Sequence, residues 1–132
     1  MDIAGYSEEP EPVRFSQGHG PRTLEFHLTD QDLMRAWTPP RPLDCALLVH
    51  CPEYDGDRLS DLAALDEKTR RNSVDQALMA LDRLSELVPF FEAAPTPSLV
   101  IHAGGMSLDP LTPKQKAQAC RAFDRSHEKL RA

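Results

Sequence analysis

Three short stretches of the chain carry apolar residues at the spacing of a strand, and each is followed by a stretch at the spacing of a helix. From Thr23 the alternation is strict: Leu24, Phe26 and Leu28 fall on one side, Glu25, His27 and Thr29 on the other. Residues 45 to 50 are almost continuously apolar, which predicts a strand with both faces covered in a parallel sheet. Leu99 to His102 forms a third strand after the breaks at Pro95 and Pro97.

The helical stretches have their own signals. Thr29 caps a helix with Asp30 and Asp32 in its first turn and Leu33, Met34 and Trp37 as its apolar face, and Pro39-Pro40 bounds it. The longest pattern places Val74, Ala77, Leu78, Leu81, Leu84, Leu87, Val88 and Phe91 on one face, which predicts a helix from about Asp66 to about Phe91. Its Lys68, Arg70 and Arg71 read as the solvated side. Thr112-Pro113-Lys114-Gln115 opens the last helix as a capping box with proline at the first position, followed by Ala117, Cys120, Phe123 and Leu130 on one side. Residues 53 to 60 read as a polar loop.

Strand followed by helix, three times, predicts an α/β fold of parallel (β/α) units, because strands joined through helices run the same way. Residues 1 to 22 match neither period. Their acidic, proline and glycine content, including Glu8-Glu9-Pro10-Glu11-Pro12, predicts a flexible arm ahead of a domain over 23 to 132.

Composition narrows this picture little. A chain of 132 residues is enough for one domain with a buried core. The net charge of −6 disfavours a nucleic-acid surface, which needs clustered Lys and Arg. Cys45, Cys51 and Cys120 show no paired metal spacing and predict no disulfide framework, so a reducing compartment is the simpler expectation. No apolar run approaches the ~20 residues of a membrane span, and the N-terminus lacks the basic and apolar regions of a signal peptide. The expected location is the cytoplasm.

The candidate chemistry sits at the strand ends. His50 and His102 close the second and third strands, where parallel β/α folds bind their ligands, and His27 lies near the end of the first with Glu25 on its face. Neutral imidazole binds borderline divalent metals and moves protons near pH 7. One histidine at a strand end is more often a hydrogen-bonded structural residue, but three at equivalent positions predict convergence at one rim. Glu53 and Asp55 stand ready to complete a metal shell or to orient a histidine from behind. Gly104-Gly105 permits a close backbone approach or positive φ that suits a phosphate or sugar oxygen, but two glycines are more often a plain turn, which is the expectation here. Cys51 reads as a small packing residue rather than a reactive thiol, and His19 and His127 as surface residues.

The runs Leu48-Val49-His50-Cys51-Pro52-Glu53-Tyr54, Asp61-Leu62-Ala63-Ala64-Leu65-Asp66-Glu67 and Val100-Ile101-His102-Ala103-Gly104-Gly105-Met106-Ser107 resemble the xylose-isomerase-like TIM barrels. That superfamily holds sugar-phosphate isomerases and epimerases and apurinic endonucleases of the second type. Leu24-Glu25-Phe26-His27-Leu28-Thr29 is similar to a branch associated with nonulosonic acid synthesis. The resemblance covers residues 23 to 131. It departs at Cys51, where a small residue such as alanine is usual, and at Ala103, where proline often follows the histidine.

The resemblance implies His50 and His102 as ligands of a divalent metal (Zn, Mn, Mg or Co), with Glu25, His27 and Glu53 as catalytic candidates on a sugar or sugar-phosphate substrate. A complete barrel has eight such units in roughly 250 residues. Three units imply a partial TIM barrel with an incomplete ligand set, inactive alone, that self-associates or joins the missing barrel half. The rival expectation is an inert interaction module that docks on a partner. An endonuclease-like activity ranks third, because of the acidic charge.

Overall fold

The computed structural model describes residues 22–35, 37–92, 96–105, 107 and 109–131. The arm expected over residues 1 to 22 lies outside them, apart from Arg22. Strand β1 (Thr23–His27) leads to a short helix α1 (Asp30–Met34), and strand β2 (Ala46–His50) to a hairpin of β3 (Tyr54–Asp55) and β4 (Arg58–Leu59). Helix α2 (Glu67–Leu87), strand β5 (Ser98–Val100) and helix α3 (Pro113–Leu130) complete the order.

β1, β2 and β5 form a parallel sheet in that order, with β2 central. The fold is therefore mixed α/β with a parallel three-stranded sheet. Phe26, Leu28, Leu47, Val49 and Cys51 pack against Ala77, Ala80, Leu84 and Leu87 of α2, with Leu43 and Phe91 at the edge. Phe26 meets Trp37 and Phe91 at ring separations of 5.7 and 6.0 Å, which closes the core below α1.

The other face differs from expectation. The apolar run of β2 predicts cover on both sides, yet among the described residues no helix lies over Glu25, His27, Leu48, His50 and Val100, which stay exposed or half-buried. Among the described residues the helices pack on one face only, so Glu25 and His27 of β1 and Leu48 and His50 of β2 share an open surface, while Ala46 on the same side is buried.

Several helical expectations shift for local reasons. α1 stops after five residues, so Met34 is 78% exposed and Trp37 reaches the core from the segment beyond the helix. α2 ends at Leu87, and Val88-Pro89-Phe90 tightens into a 3₁₀ turn that still delivers Phe91 to the core. Leu78 and Val88, expected inside, are exposed.

Arg70, expected in solvent, is buried instead. It donates to Glu67 (Nη2 to Oε1, 2.7 Å) and to Ser126 Oγ (3.0 Å), and Ser126 in turn donates to the Leu62 carbonyl at 2.8 Å. This polar chain docks α3, whose buried residues are Ala122 and Ser126 rather than Cys120 or Ala117, both exposed. Glu67 thereby pairs with Arg70 and Arg71, and their hydrogen bonds pull its carboxyl down from 4.5 to about 2. Lys68 and Arg71 are solvated as expected.

Candidate metal centre

Register assembles the site. In β1 and β2, Glu25 stands beside Leu48 and His27 beside His50, and the Leu28 amide donates to the His50 carbonyl at 3.1 Å. Neighbouring strands lie about 4.8 Å apart. Two imidazoles in register on one face therefore stack, and those of His27 and His50 do so at 4.4 Å and 5°. Val100 pairs with His50, and the Cys51 amide donates to the Val100 carbonyl at 2.9 Å. His102, two residues past the end of β5, returns to the same face with its ring 5.5 Å from that of His50.

Two carboxylates join the three rings. Glu25 Oε1 lies 3.3 Å from His27 Nε2 and 3.3 Å from His50 Nε2. Both distances exceed the usual N–H···O range of about 2.7–3.2 Å. They are close to the ligand-to-ligand edge of a tetrahedral site with 2.0–2.1 Å bonds, about 3.3–3.4 Å, but rings stacked at 5° must tilt before both Nε2 lone pairs can meet one ion. Glu53 Oε1 lies 3.1 Å from His102 Nε2. Glu25, His27 and His50 thus form one triad with metal-ligating spacing, and His50, Glu53 and His102 a second.

His50 belongs to both triads and is the least exposed of the described histidines, with 16% of its side chain accessible. Its Nδ1 is buried without a hydrogen-bond partner among the described residues. The ring is therefore oriented by the stacked His27 and by packing rather than by an acceptor behind it, and its polar outlet is Nε2, toward Glu25. The five residues singled out from sequence as catalytic or metal-binding all come to this one rim.

Asp55 does not. Its Oδ2 accepts from Asn72 Nδ2 at 3.1 Å, on the far side of the hairpin. Cys51 is buried and pushed up to about 11, first by burial and then by the Asp30 charge, so it is an inert packing thiol. All three cysteines are free, and Cys120 is exposed. Gly104 and Gly105 have no positive φ, so their small size serves the close approach: a Cβ on Gly105 would stand 3.1 Å from Asp61 Oδ2. His127 is exposed and stacks on Phe123, while His19 lies outside the described residues.

Beside the rim lies a cleft of about 430 Å³ lined by His27, Thr29, Asp30, Cys51, Glu53 and Tyr54, among others. Its volume suits a small molecule. One wall comes from the hairpin, which the reading of residues 53 to 60 as a plain loop misses. The signal was present in Gly56-Asp57: glycine at the first central position of a two-residue hairpin turn, here with φ of 60°. Asp30 and Gln76, which hold that hairpin, carried no sequence signal of their role.

Among the described residues no helix is long and apolar enough to cross a membrane. The chain matches no protein-family model, no curated protein and no solved structure.

Proposed function

We propose that the rim is a divalent-metal centre acting on a sugar or sugar phosphate, in a protein that works in the cytoplasm as an isomerase or epimerase. The observation that carries this reading is the convergence of His27 Nε2 and His50 Nε2 on one oxygen of Glu25, 3.3 Å from each. His50 and His102 are the ligands common to the proposal and to the family resemblance, and Glu25, His27 and Glu53 complete the donor set. Imidazole nitrogens with carboxylate oxygens suit Zn, Mn or Co, and the oxygens suit Mg.

A bound cation supplies Lewis acidity toward a substrate carbonyl or hydroxyl. The chain's own part is to hold a small polyol in the adjoining cleft and to move a proton. Whichever of Glu25 and Glu53 the cation leaves unbound is the group for that transfer.

The sheet order supports a barrel sector. Three parallel strands in sequential order, with helices on one face and the strand-end histidines on the other, are the arrangement that a run of adjacent (β/α) units would have. A doubly wound sheet instead reverses its order and carries helices on both faces. The uncovered face and the outer edges of β1 and β5 favour a second reading, in which the chain is an interaction module completed by a copy of itself or by a further barrel segment. Abasic-site cleavage stays third, on the charge of −6.

Calorimetric titration with Zn²⁺ and Mn²⁺ tests the centre. The wild type is expected to bind one of them specifically and the His50→Ala, His102→Ala double variant to lose that binding. Identical weak binding by both proteins would sink the proposal.

A further inference from the structure

The hairpin that carries one wall of the cleft is held from outside itself. Strands of two residues are too short to be stable alone. Gln76, buried on α2, supplies the hold: its Nε2 donates to Asp30 Oδ1 and to the Tyr54 carbonyl, each at 2.7 Å, and its Oε1 accepts from Ser60 Oγ. The second oxygen of Asp30 accepts from the Gly56 amide at 3.2 Å, and the Ser60 amide returns to the Glu53 carbonyl at 2.8 Å. One buried amide thus ties α1, α2 and both ends of the hairpin together, and a buried amide left without partners is costly.

The two triads differ in how they are supported. Glu25, His27 and His50 all stand on paired strands of the sheet. Glu53 stands just before the hairpin, and it is the member that reaches His102. Whatever lets the hairpin lift moves Glu53 and leaves the other triad in place.

We infer that Gln76 is a positioning residue: by holding the Tyr54–Leu59 strap onto Asp30 and α2 it keeps Glu53 against His102, so that strap closure and capture of a divalent cation by His50, Glu53 and His102 are one coupled event. The inference rests on the cation reading above. Coupling is reciprocal, so a closed strap that tightens cation binding requires the cation to shift the strap's open–closed equilibrium toward closure by the same factor.

The experiment uses the full chain with zinc as the probe. Gln76→Glu keeps the size of the side chain, removes both donated bonds and sets a carboxylate against Asp30. Gly56→Ala is a gentler second variant: a Cβ there meets open space, but φ of 60° strains any residue other than glycine. Without metal, amide hydrogen exchange at Gly56 and Ser60 is expected to quicken by about tenfold in Gln76→Glu while the amides of β2 keep their rates. Zinc affinity, by calorimetry, is expected to fall by about the same factor, and zinc to slow the two strap amides in the wild type. Gly56→Ala is expected to move both readouts together and less far, which carries the test if Gln76→Glu does not fold. Unchanged strap exchange in both variants, or faster exchange with unaltered zinc affinity, overturns the inference. A wild type that binds no zinc overturns the cation reading and the coupling with it, whereas the metal-free exchange rates still decide whether Gln76 holds the strap.

Discussion

Adjacent residues of β2 have different fates. Leu47 and Val49 lie under α2 with almost no exposed surface, while Leu48 and His50, one position away, stand half-buried on the face where the histidines gather. The strand looks uniformly apolar, yet only one of its faces is core. The difference teaches that the covered face stabilises the sheet and the open face is free to hold costly polar groups close together.

The largest effect expected from breaking this contrast comes from a pair of substitutions. Leu47→Ala should cost about 2–5 kcal/mol, the range for a buried leucine, and Leu48→Ala about 1 kcal/mol, as for a half-exposed one. Urea unfolding of both variants checks it. Equal costs would mean that the open face is covered in solution, which is the interaction-module reading.

Next in size is the linkage to a cation. At a free concentration of 100 times Kd, a cation that binds only the folded chain adds about 2.7 kcal/mol. The His50→Ala variant should lose that increment and, without metal, differ little from the wild type. A large loss of metal-free stability would mark His50 as a structural residue instead.

The smallest effect belongs to the helix layer behind the core face. Arg70 and Arg71 hold the Glu67 carboxyl down to about 2, below its ordinary 4.5. A carboxyl depressed in the folded state contributes stability present above 4.5 and lost as the pH falls toward 2. Denaturant midpoints measured through that window should fall less steeply for Glu67→Gln than for the wild type. Parallel slopes would remove the pair from the stability of this layer.

Much of the fold was legible because its signals are local. The alternation at Leu24, Phe26 and Leu28 and the caps at Thr29 and Thr112 act within a few residues, and the structure keeps both capping boxes. The phase of α3 was not legible: one of its two buried residues is a serine, held by a bond to Leu62 and by Arg70, 56 residues away. The hairpin was half legible. Gly56-Asp57 marks the turn, but the hold on it comes from Gln76, distant in sequence and unremarkable in type.

What the chain determined by itself is which residues are candidates for chemistry and where strands and helices begin, since period, caps and strand-end histidines depend on neighbours in sequence. What only the tertiary structure decided is that His27 and His50 stand in register, that Glu25 lies between their nitrogens, and that Glu53 is brought back to His102 by a strap. Those depend on strand pairing and on bonds across tens of residues, because a distance of 3.3 Å between side chains of different strands is set by the sheet and not by either strand alone.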